Sequence, residues 1–168
     1  LKGRNFYSNR LKLETNMIYI IIGALFLAAD YITKLWAAEA LTKVSTVPII
    51  ENIFHLTYVE NRGIAFGMFS GGRVVFIAVS RVVMAILLMI VFKTPKSAIT
   101  IWLKGGAALV ISGALGNLAE RITKGYVVDF FDFRLINFPV FNVADIAVCA
   151  GVVLLLIHFL FAEDNKSE

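Results

Sequence analysis

The sequence predicts a membrane protein of the all-α class: a four-transmembrane-helix bundle with a small extracytoplasmic β element between helices one and two. Three observations predict it. Of 168 residues, 59% are hydrophobic and only 17% charged, and the mean hydropathy is +0.80. A soluble domain carries about a quarter charged residues. Apolar stretches of about 20 residues, enough to cross a bilayer, recur four times. Between the first two lies Ile53–Val59, a run of β-branched and aromatic residues that reads as a strand.

The crossings are expected at roughly Met17–Ala38, Arg73–Phe92, Ala98–Ala119 and Phe141–Ala162. The first is too long for a signal-peptide h-region. It carries Asp30 and Lys34 in place of a small-residue cleavage site, so it reads as a retained helix. Leu1–Asn16 stand apart as an N-terminal extension, native or an expression remnant. Residues 17–162 form one membrane domain and 163–168 a cytoplasmic tail. In the loop after helix one, Val47–Ile50 reads as a further strand, and Gly63, Gly67, Gly71 and Gly72 punctuate the rest. The β element is expected to lie over the bundle as a lid. Lys93–Ser97 reads as a short polar turn between helices two and three. In helix three, Ala108, Ser112 and Gly116 form a small-residue stripe that permits close packing.

Lys and Arg set the direction. Lys2, Arg4, Arg10, Lys12, Lys93 and Lys96 share one side, whereas the other side mixes Lys43, Arg62, Arg121, Lys124 and Arg134 with acids. The bias places both termini in the cytoplasm. The net charge of +4 gathers into no basic stripe, and no zinc-finger or RNA-binding spacing occurs, so nucleic acid is not the expected partner. Cys149 is the only cysteine, which excludes an intrachain disulfide; it reads as a small buried hydrophobe.

This orientation collects acids and amides near the outer face. Asp30 lies in the outer part of helix one, Glu120 and Arg121 close helix three, Asp129 lies in the loop after it, and Asp145 lies about one turn into helix four. A carboxylate near hydrocarbon is costly and marks function. Two that share a site hold one proton between them. The ionised member can activate water while the protonated member donates to a carbonyl oxygen. Asp129 and Asp145 are the candidate pair, with Asn117, Asn142 and Arg121 beside them. Bland readings stand next to this one: a loop carboxylate for Asp129, a first-turn helix cap for Asp145, an i,i+4 ion pair for Asp30 and Lys34, and a solvated loop acid for Asp132. Lys104 and Ser112 are two turns apart on one helix, too far for a dyad. His55 and His158 lack companions for a zinc site.

Five pieces occur in order across these crossings: Asp30-Tyr31-Ile32-Thr33-Lys34; Asn61-Arg62-Gly63-Ile64-Ala65-Phe66-Gly67; Gly116-Asn117 with Arg121; Gly125-Tyr126-Val127-Val128-Asp129-Phe130; and Phe141-Asn142-Val143-Ala144-Asp145. In these the chain resembles the bacterial lipoprotein signal peptidases, the type II signal peptidases, from about Met17 onward. The resemblance implies an intramembrane aspartyl endopeptidase of the bacterial inner membrane. Such an enzyme cleaves diacylglyceryl-modified prolipoproteins just before the lipidated cysteine. Asp129 and Asp145 fall on the family's catalytic positions; Asp30, Lys34, Asn61, Asn117, Glu120, Arg121 and Asn142 fall on positions that support the site or contact substrate. Glu120 departs from the family's usual Asp. The resemblance implies no metal or organic cofactor, prolipoproteins and membrane lipids as partners, a monomer, and a site near the extracytoplasmic face. Two other classes remain: a carrier using Asp30 and Asp145 for coupled proton or cation movement, and a non-catalytic helical subunit. The carrier predicts midplane acids and often an internal repeat; the subunit leaves the amide–acid cluster without a role.

Overall fold

Four long helices and a three-stranded antiparallel sheet make up the computed structural model, which describes residues 2–63, 72–93 and 100–164. In chain order they are α1 (Lys2–Ala40), β1 (Thr46–Ile50), β2 (Phe54–Asn61), α2 (Gly72–Lys93), α3 (Thr100–Thr123), β3 (Val127–Phe133) and α4 (Val143–Asp164). A single 3-10 turn at Arg134–Ile136 comes after β3. Three segments are long and apolar enough to cross a membrane: Met17–Ala40, Ile101–Thr123 and Val143–Leu160. The apolar part of α2, Ile77–Ile90, is shorter. The expected Lys93–Ser97 turn lies outside the described residues after Lys93. The glycine-punctuated stretch 64–71, with Gly67 and Gly71, and the tail beyond Asp164 also lie outside them.

The helices depart from the expected bounds at their ends. α1 begins at Lys2, so the extension continues the first helix. α3 runs to Thr123 and takes Glu120 and Arg121 into its last turn. α3 packs on all three other helices, most extensively on α4. The α3–α4 seam is made by glycines outside the expected stripe. A Cβ on Gly106 would lie 2.8 Å from the Gly151 carbonyl oxygen, and one on Gly113 would collide with the Ala144 carbonyl. The expected stripe packs closely on α1: Gly23 faces Ala108 and Ser112, and Gly116 faces Asp30 and, on α4, Ala144. Small residues let backbones approach where no hydrophobic force drives helices together in lipid.

The sheet corrects the sequence reading. β1 and β2 form where the β-rich runs were expected, but the element is not confined to the segment between helices one and two. The third strand comes from the segment after α3, read from sequence as a loop. Its alternation sends Val128 and Phe130 into a core with Ala37 and Leu41, which seats the sheet on the end of α1. Asp129 is therefore a strand residue opposite Val59, not a loop carboxylate. Asp132 is also on β3: it accepts a hydrogen bond from Thr57 Oγ1 at 2.7 Å and pairs with Arg134 at 2.9 Å, so it is not a free solvated acid. Burial pushes its carboxyl up, but these bonds outweigh that and hold it below the ordinary value. Cys149 is exposed on α4 rather than buried; that helix is apolar around its circumference, so composition does not reveal its inner face.

Candidate active site

The site begins where α4 begins. Asn142 precedes the helix, and its Oδ1 accepts the Asp145 N–H at 3.0 Å while Asp145 Oδ2 accepts the Asn142 N–H at 3.1 Å. This reciprocal pair is a capping box, which satisfies two otherwise unpaired amides at the helix start. The bland reading of Asp145 as a helix cap is thus correct, and the same bonds fix its carboxyl in direction. Asp145 Oδ1 accepts a second bond, from Asn117 Nδ2 on α3, at 2.8 Å.

Asn142 also reaches the other acid. Its Nδ2 donates to Asp129 Oδ1 at 2.6 Å, while Asn61 Nδ2 at the end of β2 donates to Asp129 Oδ2 at 2.8 Å. One fully buried amide therefore links Asp129 on the sheet to Asp145 on the helix. Asn61 is held in turn by the Gly63 N–H, which bonds its Oδ1 at 2.9 Å; Gly63 has φ 74°, a conformation that suits glycine. Asp129 is 1% exposed. Burial pushes its carboxyl up to about 6, and the nearby Asp145 charge adds to the rise; the Asn61 and Asn142 bonds and the Lys34 charge pull the other way.

A second layer holds this core from α1. Lys34 Nζ donates to Asp30 Oδ2 and to Asn117 Oδ1, each at 2.8 Å, and lies 3.4 Å from Glu120 Oε2. The i,i+4 reading of Asp30 and Lys34 holds, but the pair does more: Asp30 Oδ1 accepts the Ala144 N–H at 2.9 Å, in the first turn of α4. Asp30 and Asp145 thus both lie against the positive end of that helix. Glu120 accepts Lys124 at 2.7 Å and the Val128 N–H at 3.0 Å. Arg121 is half-buried, and the charges of Asp145, Asp129 and Glu120 act on it.

The structure therefore links Asp30, Lys34, Asn61, Asn117, Glu120, Asp129, Asn142 and Asp145 in one network, with Arg121 within range of the charges of Asp145, Asp129 and Glu120. Sequence reasoning did not find the backbone N–H groups of Ala144 and Val128 as partners, since backbone donors have no signature in residue type. It also did not find Arg62 stacked 5.5 Å from the Tyr126 ring and paired with Glu60 at the site's edge. Such an arrangement holds the buried Asp129 carboxyl and the half-buried Asp145 carboxyl by amide donors, with Asn142 common to both.

Comparison with known proteins gives the family. Residues 22–161 match the family model for signal peptidase (SPase) II. A lipoprotein signal peptidase of Clostridioides difficile is 46% identical over 150 residues, covering 89% of this chain and 99% of that one. One from Nostoc punctiforme is 40% identical over 146 residues, covering 84% and 89%. A solved bacterial membrane enzyme is 28% identical with a TM-score of 0.78, over 85% of this chain and 92% of its own. With a match across most of its length, this chain belongs to the signal peptidase II family, the membrane proteases that remove signal peptides from prolipoproteins.

Proposed function

We propose that this family member is an aspartyl endopeptidase in which Asp129 and Asp145 hydrolyse the peptide bond just before a diacylglyceryl-modified cysteine. The observation that carries the reading is the buried Asn142, whose side-chain Nδ2 donates to the Asp129 carboxyl and whose backbone N–H donates to the Asp145 carboxyl. The ionised member of the pair removes a proton from water. The water oxygen attacks the scissile carbonyl carbon as the protonated member donates its proton to the carbonyl oxygen. Collapse of the tetrahedral species breaks the C–N bond, with a proton passing to the leaving cysteine nitrogen. No covalent enzyme intermediate forms. Asn61, Asn117 and Asn142 hold the carboxyls, and Arg121 is placed to fix a substrate carbonyl or headgroup.

The membrane arrangement belongs to the same proposal. Residues 17–162 act as one domain in which Ile77–Ile90 of α2 completes a fourth crossing. Both termini face the cytoplasm, because the basic residues of the N-terminal segment and the α2–α3 connection share a side. The sheet and the start of α4 then face the extracytoplasmic side of the inner membrane. A lipidated substrate enters laterally from the outer leaflet, and one protomer holds a complete site. The test is cleavage of a diacylglyceryl-modified prolipoprotein beside its unlipidated form, with the product's N-terminus read by mass spectrometry. The proposal expects a lipidated N-terminal cysteine and no cleavage of the unlipidated form; a cut elsewhere, or equal cleavage of both, contradicts it.

A further inference from the structure

Glu120 lies in the last turn of α3, and its bonds show what its length reaches. Its backbone carbonyl accepts the N–H groups of Lys124 at 2.7 Å and Gly125 at 3.2 Å, where the chain leaves α3; Gly125 turns it with φ 85°. Its carboxylate then spans the same turn. Oε1 is held by Lys124 Nζ at 2.7 Å; Oε2 accepts the Val128 N–H at 3.0 Å and faces Lys34 at 3.4 Å. Val128 is fully buried and immediately precedes Asp129. The partner of its N–H is thus a side chain on α3, which ties the strand to the helix one residue before the candidate acid.

We propose that Glu120 is the positioning residue for Asp129: by accepting the Val128 N–H it sets the height of β3 against α3, and hence the distance from Asp129 to Asp145. Lys124 steadies the carboxylate by holding its other oxygen. An Asp at this position is shorter by up to about 1.5 Å and cannot hold Lys124, Lys34 and Val128 together from the same backbone. The inference rests on the aspartyl reading above, and Glu120 acts through Asp129 without touching substrate.

The test compares wild type with Glu120→Asp and Glu120→Gln in detergent or nanodiscs. Amide hydrogen exchange at Val128 and steady-state cleavage are read together, with Asp129→Asn and Asp145→Asn beside them. Glu120→Gln keeps the reach and shape and guards against a variant that fails to fold. In Glu120→Asp the Val128 amide exchanges about tenfold faster or more. kcat then falls by as much as about 10²-fold, the scale of a 1 Å misplacement, while KM stays within about threefold. Glu120→Gln, which can still accept the Val128 N–H, loses less on both readouts. Unchanged Val128 protection in Glu120→Asp, or a loss carried by KM with kcat intact, overturns the proposal. Full activity in both dyad variants overturns the aspartyl reading instead, and the Val128 exchange still reports on Glu120.

Discussion

Replacing Lys34 with Met removes a cation that three partners share. The side chains of Lys34 and Asp30 are each 3% exposed, and their 2.8 Å pair is accompanied by the 2.8 Å bond to Asn117 Oδ1 and the 3.4 Å contact to Glu120. Met fills similar space without charge, so packing changes little. Removing one partner of a buried pair costs about 3–5 kcal/mol, since the other charge stays buried and uncompensated. Asp30 keeps the Ala144 N–H and Glu120 keeps Lys124, so the lower end applies, about 3 kcal/mol. For a chain of this size that lowers the melting temperature by about 6–12 °C. Asn117 Oδ1 loses the 2.8 Å bond from Lys34 and keeps the longer 3.2 Å bond from Asn142 Nδ2, so its amide is held less firmly toward Asp145, and activity falls with stability. The assay is thermal unfolding in detergent beside prolipoprotein cleavage, for Lys34→Met, Asp30→Asn and the double variant. The Asp30→Asn side chain keeps a carbonyl oxygen that can accept the Ala144 N–H, so the double variant is more stable than Lys34→Met alone. A melting temperature of Lys34→Met within about 2 °C of wild type refutes the hub; so does strict additivity of the two single losses.

Three further outcomes rest on the same contacts. Asp129 is raised to about 6, first by burial and then by the Asp145 charge, so its carboxyl keeps its proton below that value and loses it as pH rises through it. The kcat/KM profile of the free enzyme should therefore show a descending limb at or above about pH 6, where flanking hydrocarbon adds to the desolvation; a profile that rises through this region and then stays flat would mean the doubly ionised pair is the active form. Asn142→Ala removes the side-chain half of the capping box and the Asp129 bond; we expect a stability loss of about 0.5–2 kcal/mol and a far larger loss of cleavage, checked by denaturation and gel assay on one sample. Gly116→Ala places a methyl 2.5 Å from Asp30 Oδ2, which is anchored by Lys34 and so cannot yield; it should cost about 1–3 kcal/mol and lower activity, whereas Gly105→Ala, whose new methyl meets nothing nearer than 3.7 Å, should melt like wild type.

The sequence revealed most where residue type alone carries the physics. Apolar runs marked the helices, and acids or amides in apolar surroundings marked the site, because each is costly there without a partner. Asp145 was legible both as a first-turn cap and as a candidate site residue, and the capping box with Asn142 bears out the first. The third strand was missed because Asp129 and Asp132 interrupt an otherwise apolar stretch, and two acids in Val127–Phe133 read as loop. Tertiary contact overrides this: Asp129 is received by Asn61 and Asn142, and Asp132 by Thr57 and Arg134. The α3–α4 seam was not legible because small residues occur on more than one face of α3, and the stripe alone names no partner helix. Only the partner helix decides whether Gly106 and Gly113 or Ala108 and Ser112 meet α4. The exposure of Cys149 had no signal at all in a helix apolar on every side.

The most direct measurement is single-turnover cleavage of a diacylglyceryl-modified prolipoprotein by wild type, Asp129→Asn and Asp145→Asn, each shown by its melting curve to be folded. The aspartyl account predicts cleavage by wild type and none above background by either variant. Full cleavage by both folded variants would contradict it and move the chemistry away from this pair.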